Sequence, residues 1–200
     1  MRSLVTVSAL SGATVLAGAM LAMPSAFSDV SKNVNTSVTV AESCSLETTG
    51  TSTEYSATVQ PGSVTEITGS TLKALCNDAG GLVVYAVGFG GDTEGVTDMI
   101  WNGNSNYNIA TGTGTTGNSQ WAMKLTSGTG SPSILNGYNN YSVIPKNQTK
   151  VLSYASSTSG TAGVQATAKY RVYVSGSQVA GTFVGKVKYT MVHPSSAPAP

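Results

Sequence analysis

Two stretches of the chain interleave aromatic rings with side-chain amides. One reads WNGNSNYN and contains Trp101 and Tyr107, and the other reads NGYNNY and contains Tyr138 and Tyr141. An aromatic face packs against the C–H groups of a sugar, while amides hydrogen-bond its hydroxyls. Loops at the end of a β-domain are a usual place for such a site. The four aromatic residues are therefore candidate ligand-binding residues. The alternative is that they cover the core and that the asparagines serve turns.

Three acidic residues lie in the glycine-rich segment that follows the most apolar part of the chain. Asp92, Glu94 and Asp98 offer the hard oxygen ligands that Ca²⁺ prefers. Their spacing differs from that of an EF-hand loop, and a solvated turn is the alternative. Calcium is thus a candidate ligand, and we expect no other cofactor.

Residues capable of catalysis are scarce. His193 is the one histidine of the sequence and lies near its C-terminal end, so a Ser-His-Asp or Cys-His site has no plausible base. Residues 88–91 are rich in glycine but lack the lysine and the following helix of a phosphate-binding loop. The sequence therefore predicts that the protein is not an enzyme.

Cys44 and Cys76 are the two cysteines of the chain. An even pair in an oxidising compartment indicates a disulfide. A zinc site would need four ligands, which two cysteines and one histidine do not supply. Both cysteines fall on the apolar side of alternating segments, which predicts a bridge inside the core between early strands.

Composition and charge narrow the class of protein. Only 10% of residues are charged and the formal net charge is +1, so nothing favours nucleic acid or an anionic membrane as a partner. Residues 4–23 carry no charge, and the small residues Ala26 and Ser28 precede Asp29. This layout is typical of a secretory signal peptide over residues 1–28, with an uncleaved membrane anchor as the alternative. We expect a secreted or cell-surface protein.

The rest of the chain predicts one β-domain over residues 29–193, followed by a disordered tail rich in Pro, Ser and Ala over residues 194–200. Residues 82–89 form a continuous apolar run rich in β-branched side chains, which predicts a central strand buried on both faces. Residues 90–117 are polar and predict a loop with at most short strands. Further strands are predicted over residues 36–46, 55–60, 64–67, 70–76, 121–125, 141–144 and 150–155.

The last two predicted strands, residues 168–174 and 181–193, alternate between apolar and polar side chains. A turn-rich segment joins them, so we predict an antiparallel hairpin. Together these patterns favour an all-β, two-sheet immunoglobulin-like sandwich of about 7–10 antiparallel strands, with a jelly roll or barrel as the alternative.

Parts of the sequence resemble secreted pilin-like and spore-coat-like β-sandwich subunits of bacteria. These are the early segment VTVAESC, which is followed by a second cysteine, and the final segment AGTFVGKVKYT. More narrowly, the strings CNDAGG, WAMKL and VKYTMVHP are similar to exported proteins of unknown activity from Saccharibacteria-type bacteria. Chaperone–usher pilins lack a final strand and carry a long alternating N-terminal extension. Here residues 183–192 supply a final strand and residues 29–35 are short and polar, which argues against donor-strand polymerisation.

Two functions follow as expectations. The first is a non-catalytic secreted or cell-surface structural or adhesive subunit, whose partners would be other surface proteins, glycans or further copies of the chain. The alternative is a carbohydrate- or ligand-binding module that uses the loops at residues 99–121 and 136–141.

Opposite charges are segregated along the chain. All nine acidic residues precede position 99, whereas seven of the ten basic residues follow it. If early and late strands lie side by side, these charges pair across the sheets. If the strands leave them at opposite ends, the domain is an electric dipole that favours head-to-tail self-association in dilute buffer.

Overall fold

A computed structural model describes residues 37–49, 56–90, 93–101, 104–158 and 162–194. The predicted signal peptide and the tail beyond Pro194 lie outside these ranges. The chain from Val40 onward forms one compact unit, and the three described residues before it belong to a separate unit. The described residues contain no helix, so none among them is long and apolar enough to cross a membrane.

Twelve strands form within the described ranges, and the predicted all-β fold is confirmed. The count exceeds the expected 7–10 because three of the strands are only two residues long. The strands are β1 (Cys44–Thr49), β2 (Val64–Cys76), β3 (Leu82–Gly90), β4 (Thr93–Glu94), β5 (Met99–Trp101), β6 (Asn104–Thr111), β7 (Gln120–Ser127), β8 (Ser133–Ile134), β9 (Thr149–Tyr154), β10 (Val164–Tyr173), β11 (Phe183–Val184) and β12 (Lys186–Val192).

The strands form two sheets, as the predicted sandwich requires. The seven-stranded sheet has the order β1-β2-β10-β7-β6-β5-β11, and the five-stranded sheet has the order β12-β3-β9-β8 with β4 beside β3. Each described strand pair is antiparallel except β6 and β7, which run parallel where Ala110 pairs with Gln120. This parallel pair departs from the predicted purely antiparallel arrangement.

Period-two alternation decides which side chains enter the core between the sheets. On β7, Trp121, Met123 and Leu125 are buried, and the intervening Lys124 is half-exposed. β10 follows the same rule, with Ala166, Ala168 and Val172 buried in the same cluster. β7 and β10 therefore each present an apolar face to the core and a more polar face outward.

The central strand predicted from residues 82–89 is confirmed as β3. Its first seven residues are buried, and β12 and β9 flank its two edges. A fully apolar run suits this position, since neither face of the strand meets water. The predictions for residues 121–125 and 150–155 are likewise confirmed as β7 and β9.

One continuous strand replaces the two that were predicted over residues 64–76. Gly69 lies in the middle of β2 without ending it. A side chain there would collide with the ring of Tyr170, since a Cβ would lie 2.7 Å from Tyr170 Cε2. The glycine therefore admits a neighbouring aromatic ring and does not mark a turn.

Two predicted strands are wrong, and the strand predicted over residues 36–46 is wrong in part, since only residues 44–46 belong to β1. Residues 37–43 are not a strand, and Val38 and Val40 are 82% and 79% exposed. Residues 56–60 also lack strand structure, and residues 141–144 make only an isolated bridge between Ser142 and Met123. Alternation alone does not make a strand, because each strand needs a partner for its backbone.

The loop predicted over residues 90–117 is wrong in part, because its described residues contain β4, β5 and the eight-residue β6. Ile109 on β6 is buried in the core. Few apolar residues alternate in β6, and many asparagine and glycine residues surround them. The sequence pattern therefore did not indicate a long strand.

The predicted terminal hairpin is also wrong. β10 lies between β2 and β7 in the seven-stranded sheet, whereas β12 pairs with β3 in the other sheet. The chain crosses between the sheets through β11, where Phe183 pairs with Trp101. The predicted apolar face of the last strand is nevertheless observed, since Phe183, Val187 and Tyr189 pack against the core.

The predicted disulfide between Cys44 and Cys76 is confirmed. The two residues are directly opposite each other on β1 and β2. Cys76 is buried in the core, but Cys44 is exposed because β1 is the edge strand of its sheet. The bridge therefore joins the edge of the sheet to the core. The sequence predicts a bridge wholly inside the core, and the position of the bridge differs in that respect.

Candidate ligand-binding cleft

The candidate site lies on the outer face of the seven-stranded sheet. Lys124 on β7 and Arg171 on β10 alternate with core residues and so point away from the core. Ala122 pairs with Arg171 and is 0% exposed although it too lies on the outer face. Larger side chains therefore cover this part of the sheet.

A loop takes the place beside β7 where β6 ends. The end of β6 pairs with the start of β7. Farther along β7, Met123 and Ser142 exchange backbone hydrogen bonds of 3.0 and 2.9 Å. The Leu125 amide also donates to the Tyr138 carbonyl at 2.7 Å. Because the Met123–Ser142 bridge is antiparallel, Tyr141 comes to lie beside Lys124.

Internal contacts fix this loop, residues 136–143, in one conformation. Asn136 and Gly137 have positive φ angles of 52° and 77°, which reverse the chain. Tyr138 is buried, and its hydroxyl donates to the Val143 carbonyl at 3.2 Å. The Ser142 hydroxyl donates to the Gly137 carbonyl at 3.2 Å. The loop therefore presents Asn139, Asn140 and Tyr141 from a rigid frame.

The opposite rim of the site comes from the loop between β6 and β7. Gly114 has a φ of 70°, and a Cβ there would lie 3.0 Å from the Arg171 carbonyl oxygen. A glycine thus allows the loop to approach β10 closely. The exposed Thr113 and Thr115 flank it, with their hydroxyls 3.3 Å apart.

These elements enclose an open cleft of about 360 Å³. Two cations, two hydroxyls, two amides and one phenol line it, which is the chemistry of polar and anionic ligand binding. The lining residues are Thr113, Thr115, Lys124, Asn139, Asn140, Tyr141 and Arg171.

Two cations lie over the ring of Tyr141. The Arg171 guanidinium carbon is 3.8 Å from the ring centroid, and Lys124 Nζ is 4.3 Å from it. These are cation–π contacts, and they orient both positive side chains toward the cleft. They also occupy the aromatic surface on which a sugar ring would otherwise stack.

Glu66 is the acidic residue that meets this group. Its Oε1 accepts a hydrogen bond from Arg171 Nη2 at 2.7 Å, and this contact holds the pKa of Glu66 below its usual value. Burial, together with the Glu66 carboxylate, raises the pKa of Tyr141 to about 12. Tyr141 therefore stays neutral and Glu66 stays charged at physiological pH.

The predicted aromatic residues do not form one site. Of the four, Tyr141 lines the cleft and Tyr138 anchors its loop from the core. Trp101 and Tyr107 pack edge to face with centroids 5.2 Å apart, and they lie outside the cleft. Gly181 lies against the Trp101 indole, where a Cβ would collide with the ring. The alternative interpretation, in which aromatic rings serve the fold, is therefore the better one for Trp101 and Tyr138.

Two of the three predicted calcium ligands are described, and they have different hydrogen-bond partners. Glu94 accepts hydrogen bonds from Lys188 Nζ at 2.7 Å and from Gln148 at 3.0 Å. Asp98 instead accepts from the Thr111 amide at 3.3 Å and so joins β5 to β6. Asp92 lies outside the described residues. Among those described, the one cluster of potential metal-ligating atoms involves Glu42 and the bonded cysteines.

His193 directly follows β12 and contacts the side chain of an aspartate. Its Nε2 is 2.7 Å from Asp78 Oδ2, so the pair ties the end of the last strand to the turn before β3. Both cysteines are in the disulfide. Neither His193 nor a cysteine is among the residues that line the cleft.

Sequence reasoning missed Lys124, Arg171 and the two threonines of the cleft. Alternation places Lys124 and Arg171 on outward faces, which was visible in the sequence. What the sequence did not reveal is that β7 and β10 are neighbours, which brings the two cations to one place.

Comparisons with known protein families, with curated proteins and with solved structures find no match. The fold and the cleft therefore define the class of protein: a disulfide-bonded, two-sheet β-sandwich with a polar, cationic cleft on its larger sheet.

Proposed function

We propose that the protein is a non-catalytic, secreted or cell-surface adhesive β-sandwich that binds a polar ligand of its surroundings, such as a saccharide, in the cleft. The observation that carries this proposal is the convergence of two separate loops and two strands around one opening. Each loop is fixed by its own backbone or side-chain contacts, so the polar groups are held in place before a ligand arrives. Preorganisation of this kind lowers the entropic cost of binding.

Secretion is supported by two independent features. A disulfide persists in an oxidising compartment, and residues 1–28 have the layout of a signal peptide. The proposed absence of catalysis rests on the sequence, in which His193 is the one histidine, and on its place outside the residues that line the cleft.

A glycan array probed with the purified protein tests the proposal. The variant Asn139→Ala/Asn140→Ala removes two exposed amides of the cleft, and we expect it to lose binding without a change in melting temperature. Asn147→Ala is the matched control, because Asn147 is also an exposed loop asparagine but lies outside the cleft. No binding of any saccharide by the unmodified protein would contradict the proposal.

A purely structural subunit of a surface layer is the second candidate. The covalent attachment of the exposed edge strand β1 to β2 favours it, since the bridge secures an edge that would otherwise fray. If the protein binds no saccharide on the array and forms regular assemblies in electron micrographs, this second function is favoured.

A further inference from the structure

The cleft has an excess of positive charge on one small area of the sheet. Lys124 and Lys169 are directly opposite each other on β7 and β10, and Arg171 follows two residues later. Neither lysine has an ion-pair partner among the described residues, whereas Arg171 forms an ion pair with Glu66. Two lysines thus lie opposite each other with no ion pair among the described residues, and like charges in this position destabilise a sheet. An anion that binds there would reduce the repulsion between the positive charges and so stabilise the sheet.

The positions of the cations are fixed before binding. Lys124 Nζ is held over the Tyr141 ring at 4.3 Å, and the half-buried Arg171 is held both by that ring and by Glu66. A planar guanidinium suits the flat geometry of a carboxylate, and an ammonium group adds a point charge beside it. The two together form a preorganised receptor for one anionic group.

The rim of the cleft has a different chemistry. Thr113 and Thr115 offer hydroxyls, and Asn139 and Asn140 offer amides that both donate and accept hydrogen bonds. These groups match the vicinal hydroxyls of a sugar. The ring of Tyr141 is already covered by cations, so a neutral sugar would find no free aromatic platform there.

We infer that the ligand of the cleft is an acidic saccharide, whose carboxylate or phosphate group lies against Lys124 and Arg171 while its hydroxyls bind the rim. The inference rests on the proposed function and adds the charge of the ligand to it. It replaces the aromatic stacking expected of a neutral sugar site with charge-assisted hydrogen bonds, which are the stronger kind.

Matched pairs of saccharides test the inference by calorimetry on the purified protein. Trigalacturonate is compared with galactotriose of the same linkage, sialyllactose with lactose, and phosphorylated galactose with galactose. We expect the acidic member of at least one pair to bind about tenfold more tightly or better, because a hydrogen bond to a charged group is worth that much. Its affinity should fall as salt is added.

Variants locate the effect at the cleft. For the tightest acidic saccharide of the three, Lys124→Gln should weaken binding about tenfold, since it removes one charged contact. Lys150→Gln is the control, because it removes an equal charge from the exposed face of β9 in the other sheet. Equal losses in both variants would overturn the inference, since the effect would then come from net charge alone.

The outcomes separate the two proposals. Equal binding of the acidic and neutral members of each pair would overturn the inference and leave the proposed function intact. No binding by any of the six saccharides or on the array would overturn both. Preference for the phosphorylated or for the carboxylated probe would support the inference and identify the acid group.

Discussion

Arg171 and Glu66 form an ion pair of 2.7 Å across β10 and β2, although they are 105 positions apart in the chain. Lys188 and Glu94 form a second pair at 2.7 Å, which again joins a late base to an early acid. The segregation of charge along the sequence is thus offset in the fold, because early and late strands are neighbours.

We therefore expect ionic strength to leave the oligomeric state unchanged. The dipole that would drive head-to-tail association is weakened by the Arg171–Glu66 and Lys188–Glu94 pairs. Screening acts within about 10 Å at 0.1 M salt, so an electrostatic assembly would be strongest in dilute buffer. Sedimentation velocity at low and high salt measures this. Association confined to low salt would show that a large dipole remains.

Acid should weaken the Arg171–Glu66 pair. The pKa of Glu66 is lowered in the folded protein, mainly by its hydrogen bond with Arg171. The pair therefore stabilises the fold above the unfolded-state pKa of Glu66, and this stability is lost as the pH falls through the folded-state value. An exposed pair of this kind contributes no more than about 1 kcal/mol.

A carboxyl titration followed by NMR measures the pKa of Glu66 directly. We expect a midpoint below that of an ordinary glutamate, and a midpoint closer to the ordinary value in Arg171→Gln. An unchanged Glu66 midpoint in the variant would show that Arg171 is not the cause.

Tyr141 should resist ionisation until about pH 12, because burial and then the Glu66 carboxylate raise its pKa. Absorbance titration of the phenolate, compared between the native protein and Tyr141→Phe, isolates this residue. In Glu66→Gln the titration should move toward lower pH by only part of the shift, since burial is the larger cause. A Tyr141 that ionises like a free tyrosine would contradict the packing of the cleft.

Loss of the disulfide should cost about 3 to 4 kcal/mol in the free energy of unfolding, because the bridge closes a loop with a sequence separation of 32. Cys44→Ser is the appropriate variant, since Cys44 is exposed and tolerates a hydroxyl. Urea unfolding of the native and variant proteins gives the difference. Reactive thiols in the native, non-reduced protein would show that the bridge is absent.

Gly114→Ala should destabilise the fold more than Gly117→Ala. Both glycines have positive φ angles, which cost an alanine about 1 to 2 kcal/mol. A Cβ at Gly117 meets open space, whereas one at Gly114 would press on the backbone of Arg171. Thermal unfolding measures the melting temperature of each variant. An equal decrease in melting temperature in both variants would mean that the loop does not need its close contact with β10.

Local patterns were enough to predict several elements of this fold. β3 is predictable because a strand buried on both faces is a continuous apolar run. β7 is predictable because a strand buried on one face alternates between apolar and polar residues. Val38 and Val40 show the limit of this reasoning, since they alternate like a strand and remain exposed. A strand requires a partner, and the sequence does not state which segments pair.

The same limit applies to the cleft. Tyr141 was predicted as a ligand-binding residue from its amide-rich surroundings, and it does line the cleft. Arg171 and Lys124 lie over its ring, which argues against its predicted role as a stacking platform for a sugar. That contact depends on three chain segments that meet only when β7, β10 and the loop at residues 136–143 are assembled.

The pairing of β12 with β3 has a consequence for the order in which the protein folds. β3 is among the first strands to be synthesised, but one of its edges stays without hydrogen-bond partners until residues 186–192 arrive. Long-range pairing of this kind slows folding, and a bare apolar edge recruits other chains. The proposed export of the chain before folding would avoid that interval, since the whole polypeptide would then be available when folding begins. A chain that stops before β12 would accordingly aggregate and would not form a smaller domain.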